Sequence, residues 1–275
     1  MNRKNKKYDI NKNILKYLYL KRRLSCLEIG KILKVSRGTI RLRLKEYNIP
    51  IRTISEAMIK YPKNSFSNNE IERAYMLGLR AGDLYTTKHY NHIRATTTTT
   101  HKLFIEMMKD VFGKYANVGQ HLRFNRDHHE WIVYCDLDKS FSFLIDKPSK
   151  IPKEILEDNS KFYSFLAGYI DCEGNWEIAK SNKNDIRFML RIRNYDKIIL
   201  EQIKNTLNGI GFKSHFYLEK ENGTKTSFGK IKRNFYGVRI YKTKDIMKLI
   251  NILSSLTHHK EKTMKMEFIL KNQNK

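Results

Sequence analysis

The sequence predicts an α+β chain: a small all-α N-terminal module, then a duplicated αββαββα core with pseudo-twofold symmetry. Three observations predict it. The same order of helix and strand patterns occurs twice, over residues 67–158 and 159–275. Each repeat opens on an apolar helical run that is broken by small residues and closed by an acid. Residues 1–50 hold three short amphipathic helices with cap residues. A connection over 51–66, with Pro62 and Ser and Asn residues, joins them to the repeats.

The first 66 residues carry 18 Lys or Arg against four Asp or Glu, over half of the chain's net charge of +26. Asn2 to Lys7 reads as a basic arm. Residues 11–22 suggest a helix with Ile14, Leu15 and Leu18 inward. Ser25-Cys26-Leu27-Glu28 is a capping-box pattern opening a second helix that runs through Leu33. After a short turn at Lys34-Val35, Ser36 caps a third helix from Arg37 to Tyr47. There Ile40, Leu44 and Tyr47 face inward, while Arg37, Arg41 and Lys45, four apart, form an exposed basic stripe. Helix, tight turn and helix with a basic outer stripe is the arrangement that places a second helix in the DNA major groove. The run from Leu27 to Ile40 resembles the helix-turn-helix of resolvase-like and regulatory DNA-binding domains.

The two apolar runs are Ala74 to Asp83 and Phe165 to Gly174. Gly78 stands to Asp83 as Gly168 stands to Glu173, and small residues recur four apart, Gly78 with Gly82 and Gly168 with Cys172. Such spacing leaves a narrow helical stripe without bulk, against which a second helix packs closely. If the stripes pack on each other, Asp83 and Glu173 emerge side by side. An acid at a helix C-terminus is disfavoured by roughly 0.3–1 kcal/mol, and two together repel. A divalent cation offsets both penalties, and hard cations take carboxylate and phosphate oxygens.

The stretch Leu166-Ala167-Gly168-Tyr169-Ile170-Asp171-Cys172-Glu173-Gly174 resembles the LAGLIDADG motif of homing endonucleases. The first run is similar to its Gly-Asp variant, with Arg80 inside the apolar stretch and Leu84 where the family has its last Gly. The resemblance covers about 66–272, and two copies resemble the family's single-chain form. It implies a monomeric, metal-dependent endonuclease that makes double-strand breaks with short 3′ overhangs at a long, nearly asymmetric site. Asp83 and Glu173 would be the ligands of Mg²⁺ or Mn²⁺. The resemblance also implies a Lys in each half where the last strand meets its helix; Lys139 and Lys244 share that register, with Lys242 a near competitor. Asp171 ranks below Glu173, because its counterpart in the first run is Ala81.

Within each repeat, the first helix (started by a Ser67-Asn68-Asn69-Glu70 capping box in the first) precedes strands near Leu84–Lys88 and His92–Thr100. A helix from His101 to Lys114, with Leu103, Phe104, Met107, Met108 and Val111 inward, leads to strands near 117–125 and 130–137. A short helix from about Lys139 follows. The second repeat places strands at 175–180, 186–193, 212–218 and 235–241, with a hairpin excursion over 219–233. In 186–193, Phe188, Leu190 and Ile192 alternate with Arg187, Met189, Arg191 and Arg193, so one face is core and the other basic. The two basic sheet faces together suit the phosphate backbone of double-stranded DNA, with Arg94, Lys180, Arg187, Arg191, Arg193 and Arg239 as candidate contacts.

A pI near 9.9 implies an anionic partner, and 40% apolar residues suffice for a core. There is no 18-residue apolar run and no hydrophobic leader. The expected place is therefore intracellular, cytoplasmic or nucleoid-associated, without a membrane. Cys26, Cys135 and Cys172 are scattered and read as reduced thiols. No acid is followed two positions later by Lys, no phosphate-loop pattern occurs, and His128-His129 and His258-His259 lack partners at zinc-ligand spacing. The same basic scaffold also fits a non-catalytic DNA-binding regulator, or an RNA maturase that assists intron splicing.

Overall fold

The computed structural model describes residues 9–53, 61, 63–125, 128–180, 186–226 and 229–272. The expected arm at 2–7 lies outside them, as does part of the connection at 51–66. The chain divides into two compact units, Met1–Pro62 and Lys63–Lys275.

In the first unit, helix α1 (Lys12–Lys16) continues as a π-helical turn, Tyr17–Lys21, followed by α2 (Cys26–Leu33) and α3 (Arg37–Glu46). The capping box forms: Ser25 Oγ accepts from the Glu28 N–H at 3.1 Å and Glu28 Oε2 accepts from the Ser25 N–H at 2.8 Å. Lys34 takes the left-handed conformation that ends α2 (φ 57°), and Ser36 Oγ caps α3 through the Thr39 N–H at 3.0 Å. Gly30 is required at the turn, since a Cβ there would lie 2.7 Å from the Val35 carbonyl oxygen. Ile10, Leu15, Tyr19, Ile29, Ile40, Leu44 and Ile49 form the core, and Arg37, Arg41 and Lys45 are exposed. Ile14, expected inward, is 51% exposed. The inner face is Leu15, Leu18 and Tyr19, one position on, and Arg52 stacks on the Tyr19 ring at 4.3 Å.

The second unit opens on α4 (Glu70–Ala81). Its N-cap is Asn69, whose side chain accepts from the N–H groups of Ile71 and Glu72, rather than Ser67 of the expected capping box; Ser67 instead accepts from the Asn69 N–H and donates to Glu72. Strands β1 (Tyr85–Lys88) and β2 (Ile93–Thr99), helix α5 (Lys102–Phe112), and strands β3 (Val118–Asn125) and β4 (His128–Leu137) follow. The short helix after β4 is a 3₁₀ helix, Lys139–Leu144, and a single turn α6 (Lys153–Leu156) leads to α7 (Asn159–Glu173). The second repeat continues with β5 (Gly174–Lys180), β6 (Ile186–Asn194), α8 (Lys197–Gly209), β7 (His215–Lys220), the small hairpin β8 (Lys225–Thr226) and β9 (Gly229–Lys230), and β10 (Phe235–Ile240). Helices α9 (Thr243–Leu253) and α10 (Lys260–Lys271) close it.

The two four-stranded sheets have equivalent orders, β1-β2-β4-β3 and β5-β6-β10-β7, antiparallel throughout. Their inner faces carry Ala95, Val133, Cys135 and Leu137 in one sheet and Phe188, Leu190, Ile192 and Val238 in the other. These residues pack into one core around α4 and α7, whose motif runs are buried on all sides. The threonine run is a strand as expected. On α5, Ile105 is buried and Leu103 only half so. Among the described residues, no helix is long and apolar enough to cross a membrane.

Candidate active site

Helices α4 and α7 meet at their glycines. A Cβ on Gly78 would lie 2.1 Å from the Phe165 carbonyl oxygen, and one on Gly168 would lie 2.1 Å from that of Tyr75. A Cβ on Gly82 would lie 2.6 Å from the Cys172 Cβ. The two backbones touch, so the small-residue stripes are the contact itself. Between the helices, Ser164 donates to the Ile71 carbonyl at 2.6 Å and the Tyr75 hydroxyl to Asp171 Oδ2 at 2.6 Å.

This contact brings Asp83 and Glu173 together, though the ends differ. α7 runs to Glu173 itself. α4 stops at Ala81, Gly82 leaves helical geometry (ψ −121°), and Asp83 lies exposed two residues beyond the last helical turn. Burial, and then the charge of Asp83, push the Glu173 carboxyl up to about 8; Lys147 and Lys262 pull the other way, and Asp196 adds to the rise. Among the described residues, no group of three His, Cys, Asp or Glu side chains converges.

Lys147 donates to the Gly82 carbonyl at 3.2 Å and lies 3.5 Å from Asp196. Lys262 donates to the Asp171 carbonyl at 2.6 Å and to that of Ile170, and burial lowers the pKa of its ammonium. Lys139 and Lys244 lie elsewhere. Leu137, just before the 3₁₀ helix, pairs with Ile93, which pairs with Lys88. That register carries Lys139 to the tip of the β1–β2 hairpin, where its ammonium sits 5.6 Å over the Tyr90 ring. Lys88 is five residues past Asp83, roughly 16 Å at ~3.3 Å per residue. Lys242 and Lys244 line a depression with Lys204, Lys213 and Lys248. None of these five is among the groups that shift Glu173 most. Sequence spacing misses Lys147 and Lys262 because both reach the acids through tertiary contacts. The one local signal is that Lys262 and Asp171 each stand at the helix end that disfavours their charge.

Asp171 is not an open ligand. Its Oδ2 accepts from Tyr75 and from the N–H groups of His258 (2.9 Å) and His259 (3.3 Å), and burial raises its pKa. Arg80 is a buried tie: its guanidinium donates to the carbonyls of Leu144 (2.8 Å), Leu84 (3.0 Å) and Ile145 (3.0 Å). Arg80→Met leaves Thr86 as a second donor to Leu144 and Ile145. It should therefore cost about 2 kcal/mol, the price of one buried carbonyl left unpaired. Urea denaturation measures it; an unchanged midpoint would contradict this role.

The outer sheet faces hold the expected cations, several of them paired. Arg94 grips Asp136 with two hydrogen bonds (2.7 and 3.0 Å), Arg191 lies 3.1 Å from Glu177, and Arg193 lies 3.5 Å from Glu219. Arg187 and Arg239 are exposed. The side chain of Lys180 lies outside the described residues. Each face also has a tyrosine laid over a cross-strand glycine and under an arginine. Tyr134 covers Gly119 and lies 5.0 Å from Arg94; Tyr217 covers Gly237 and lies 5.1 Å from Arg239.

Residues 163–263 match the family model described as a LAGLIDADG-like domain. The core has the LAGLIDADG fold. Its similarity to the homing endonuclease I-WcaI, solved bound to its DNA recognition sequence, has a TM-score of 0.50 at 19% identity, over 73% of this chain and 88% of that one. Two uncharacterised proteins of Methanocaldococcus jannaschii are also similar. MJ0314 is 28% identical over 196 residues, 69% of this chain and 73% of its own length. MJ0398 is 25% identical over 256 residues, 87% of this chain and 84% of its own. The LAGLIDADG helices are α4 and α7, and their glycine contact is the axis relating the halves.

Proposed function

We propose that this chain is a site-specific, divalent-metal-dependent DNA endonuclease of the homing type, acting inside the cell as a monomer. The observation that carries this reading is the convergence of Asp83 and Glu173 at the joined ends of the LAGLIDADG helices. A pair of acids that raises one member's proton affinity, with no third side-chain ligand among the described residues, fits a hard cation that would take its other ligands from phosphate and water. When bound, Mg²⁺ or Mn²⁺ supplies an activated water and charge neutralisation at the phosphorus.

The chain's own residues do the rest. Asp83 and Glu173 would hold the cation through carboxylate oxygens, and Glu173 would have to lose its proton to do so. Arg187 and Arg239, with the arginines that exchange an acid for a phosphate, hold the backbone along the two sheets. The tyrosines laid over Gly119 and Gly237 keep Arg94 and Arg239 extended over the strands. Arg37, Arg41 and Lys45 on α3 extend the site through a major-groove contact. That I-WcaI binds its target with this fold supports DNA as the partner.

Cleavage of a randomised plasmid library with Mg²⁺, and with EDTA, tests the reading. Metal-dependent double-strand breaks at one enriched sequence, lost in EDTA, are expected. Enrichment by binding without cleavage in Mg²⁺ or Mn²⁺ would leave a DNA-binding regulator. Neither cutting nor DNA enrichment would redirect the search to structured RNA.

A further inference from the structure

Two charges near the acid pair stand at the wrong ends of their helices. Asp171 is in the last turn of α7, where the dipole is negative, and Lys262 is in the first turn of α10, where it is positive. Each is disfavoured by its own helix and hydrogen-bonded to the end of the other. Asp171 Oδ2 accepts from the His258 and His259 N–H groups at the start of α10, which has no side-chain cap of its own at His259. The Lys262 ammonium donates to the Ile170 and Asp171 carbonyls, among the last four of α7, which otherwise face solvent or a capping group. The two helix ends thus cap each other across about ninety residues of sequence. The Tyr75 hydroxyl, from α4, joins the same carboxylate. Glu173 is the next residue but one after Asp171, so the backbone that carries it is clamped by Lys262. Among the described residues the first half has no such pair of opposed charges: Ala81 stands where Asp171 would, and around Asp83 the exposed Lys147 reaches the Gly82 carbonyl while Arg80 reaches that of Leu84.

We propose that Lys262 is a positioning residue for Glu173 and not for Asp83: α10 clamps the end of α7, so its loss slows cleavage of one DNA strand selectively. The strand-specific part rests on the nuclease reading above. Glu173→Gln and Asp83→Asn first identify which strand depends on which acid, by labelling each strand of the target separately. Lys262→Met should then slow the Glu173-dependent strand about tenfold or more relative to the other, since small misplacements of a reacting group cost that much. Nicked plasmid should accumulate, and Lys262→Arg should restore the ratio. Equal slowing of both strands, or slowing of the Asp83-dependent strand, would overturn the proposal.

A metal-free measurement keeps the clamp testable if the wild type proves not to cut. Amide hydrogen exchange over residues 170–176 should be about tenfold faster in Lys262→Met and in Asp171→Asn than in the wild type or Lys262→Arg, because local opening follows the lost cap. Unchanged exchange in both variants, with the fold intact by circular dichroism, would overturn it. Faster exchange without any DNA cleavage would remove the nuclease reading and leave the clamp standing.

Discussion

Gly168→Ala and Gly78→Ala should each destabilise the second unit by about 3–5 kcal/mol, at the upper end of single substitutions. The reason is what the added carbon meets. At both sites it would lie 2.1 Å from a backbone carbonyl oxygen of the facing helix. No side chain can swing away to make room, so α4 and α7 must separate, and the core packed around them must follow. The two substitutions strain one interface, so the double variant should cost less than the sum. Gly209, at the end of α8 with nothing within 4 Å of an added Cβ, supplies the contrast. Gly209→Ala should be neutral or stabilising by up to about 1 kcal/mol, through the helix preference of Ala. Urea midpoints measure all four variants. A small cost at Gly168 would mean that the helices do not touch as described.

Glu173→Gln should lower cleavage by about a hundredfold or more, the scale on which one lost electrostatic contact to a transition state is felt, while DNA binding persists. The pH dependence follows from the same residue. With its carboxyl pushed up to about 8 by burial and by Asp83, metal-free Glu173 is mostly protonated at neutral pH. Binding a cation must displace that proton. At subsaturating Mg²⁺ the rate should therefore rise about tenfold per pH unit and level off near pH 8.

The metal-free protein responds in the opposite sense. Between the ordinary Glu value of 4.5 and about 8, the folded chain binds more protons at Glu173 than the unfolded chain does. Stability from this group is therefore full below pH 4.5, falls as pH rises through that window, and is lost above about 8. Glu173→Gln removes the slope, and comparison of the two proteins cancels the contribution of Asp171. A wild-type rate independent of pH between 6 and 8, or a variant that cuts normally, would contradict the assignment.

Much of the fold could be read from local pattern. The parity of 186–193, the serine caps at Ser25 and Ser36, and the five-residue spacing from Gly78 to Asp83 and from Gly168 to Glu173 all depend on near neighbours. The structure keeps each of them. What escaped depends on distant ones. Ile14 points outward because the inner face is shifted by one residue along α1 and the π-helical turn. Asn69 displaces Ser67 as the cap because it sits two positions nearer the helix. Arg80 reads as an interruption of an apolar run until the carbonyls of the 3₁₀ helix, more than sixty residues on, come to meet it. Lys147 and Lys262 reach the acids in the same way, and no spacing rule connects them to either motif.

The axis through Gly78 and Gly168 also pairs Tyr75 with Phe165 and Ala81 with Asp171, each ninety residues apart. On one side of the axis a tyrosine hydroxyl meets a carboxylate; on the other, Phe165 and Ala81 are both fully buried and apolar. A symmetric dimer of the second half would bury two aspartates against phenylalanines. A symmetric dimer of the first half would bury two tyrosine hydroxyls against alanines. The first self-pairing removes the Tyr75 donor and leaves each Asp171 only the His258 and His259 N–H groups of its own half, and the second leaves each Tyr75 hydroxyl without that carboxylate. This hydrogen bond across the axis thus exists only in the mixed pairing, and it favours one half against the other over either half against itself.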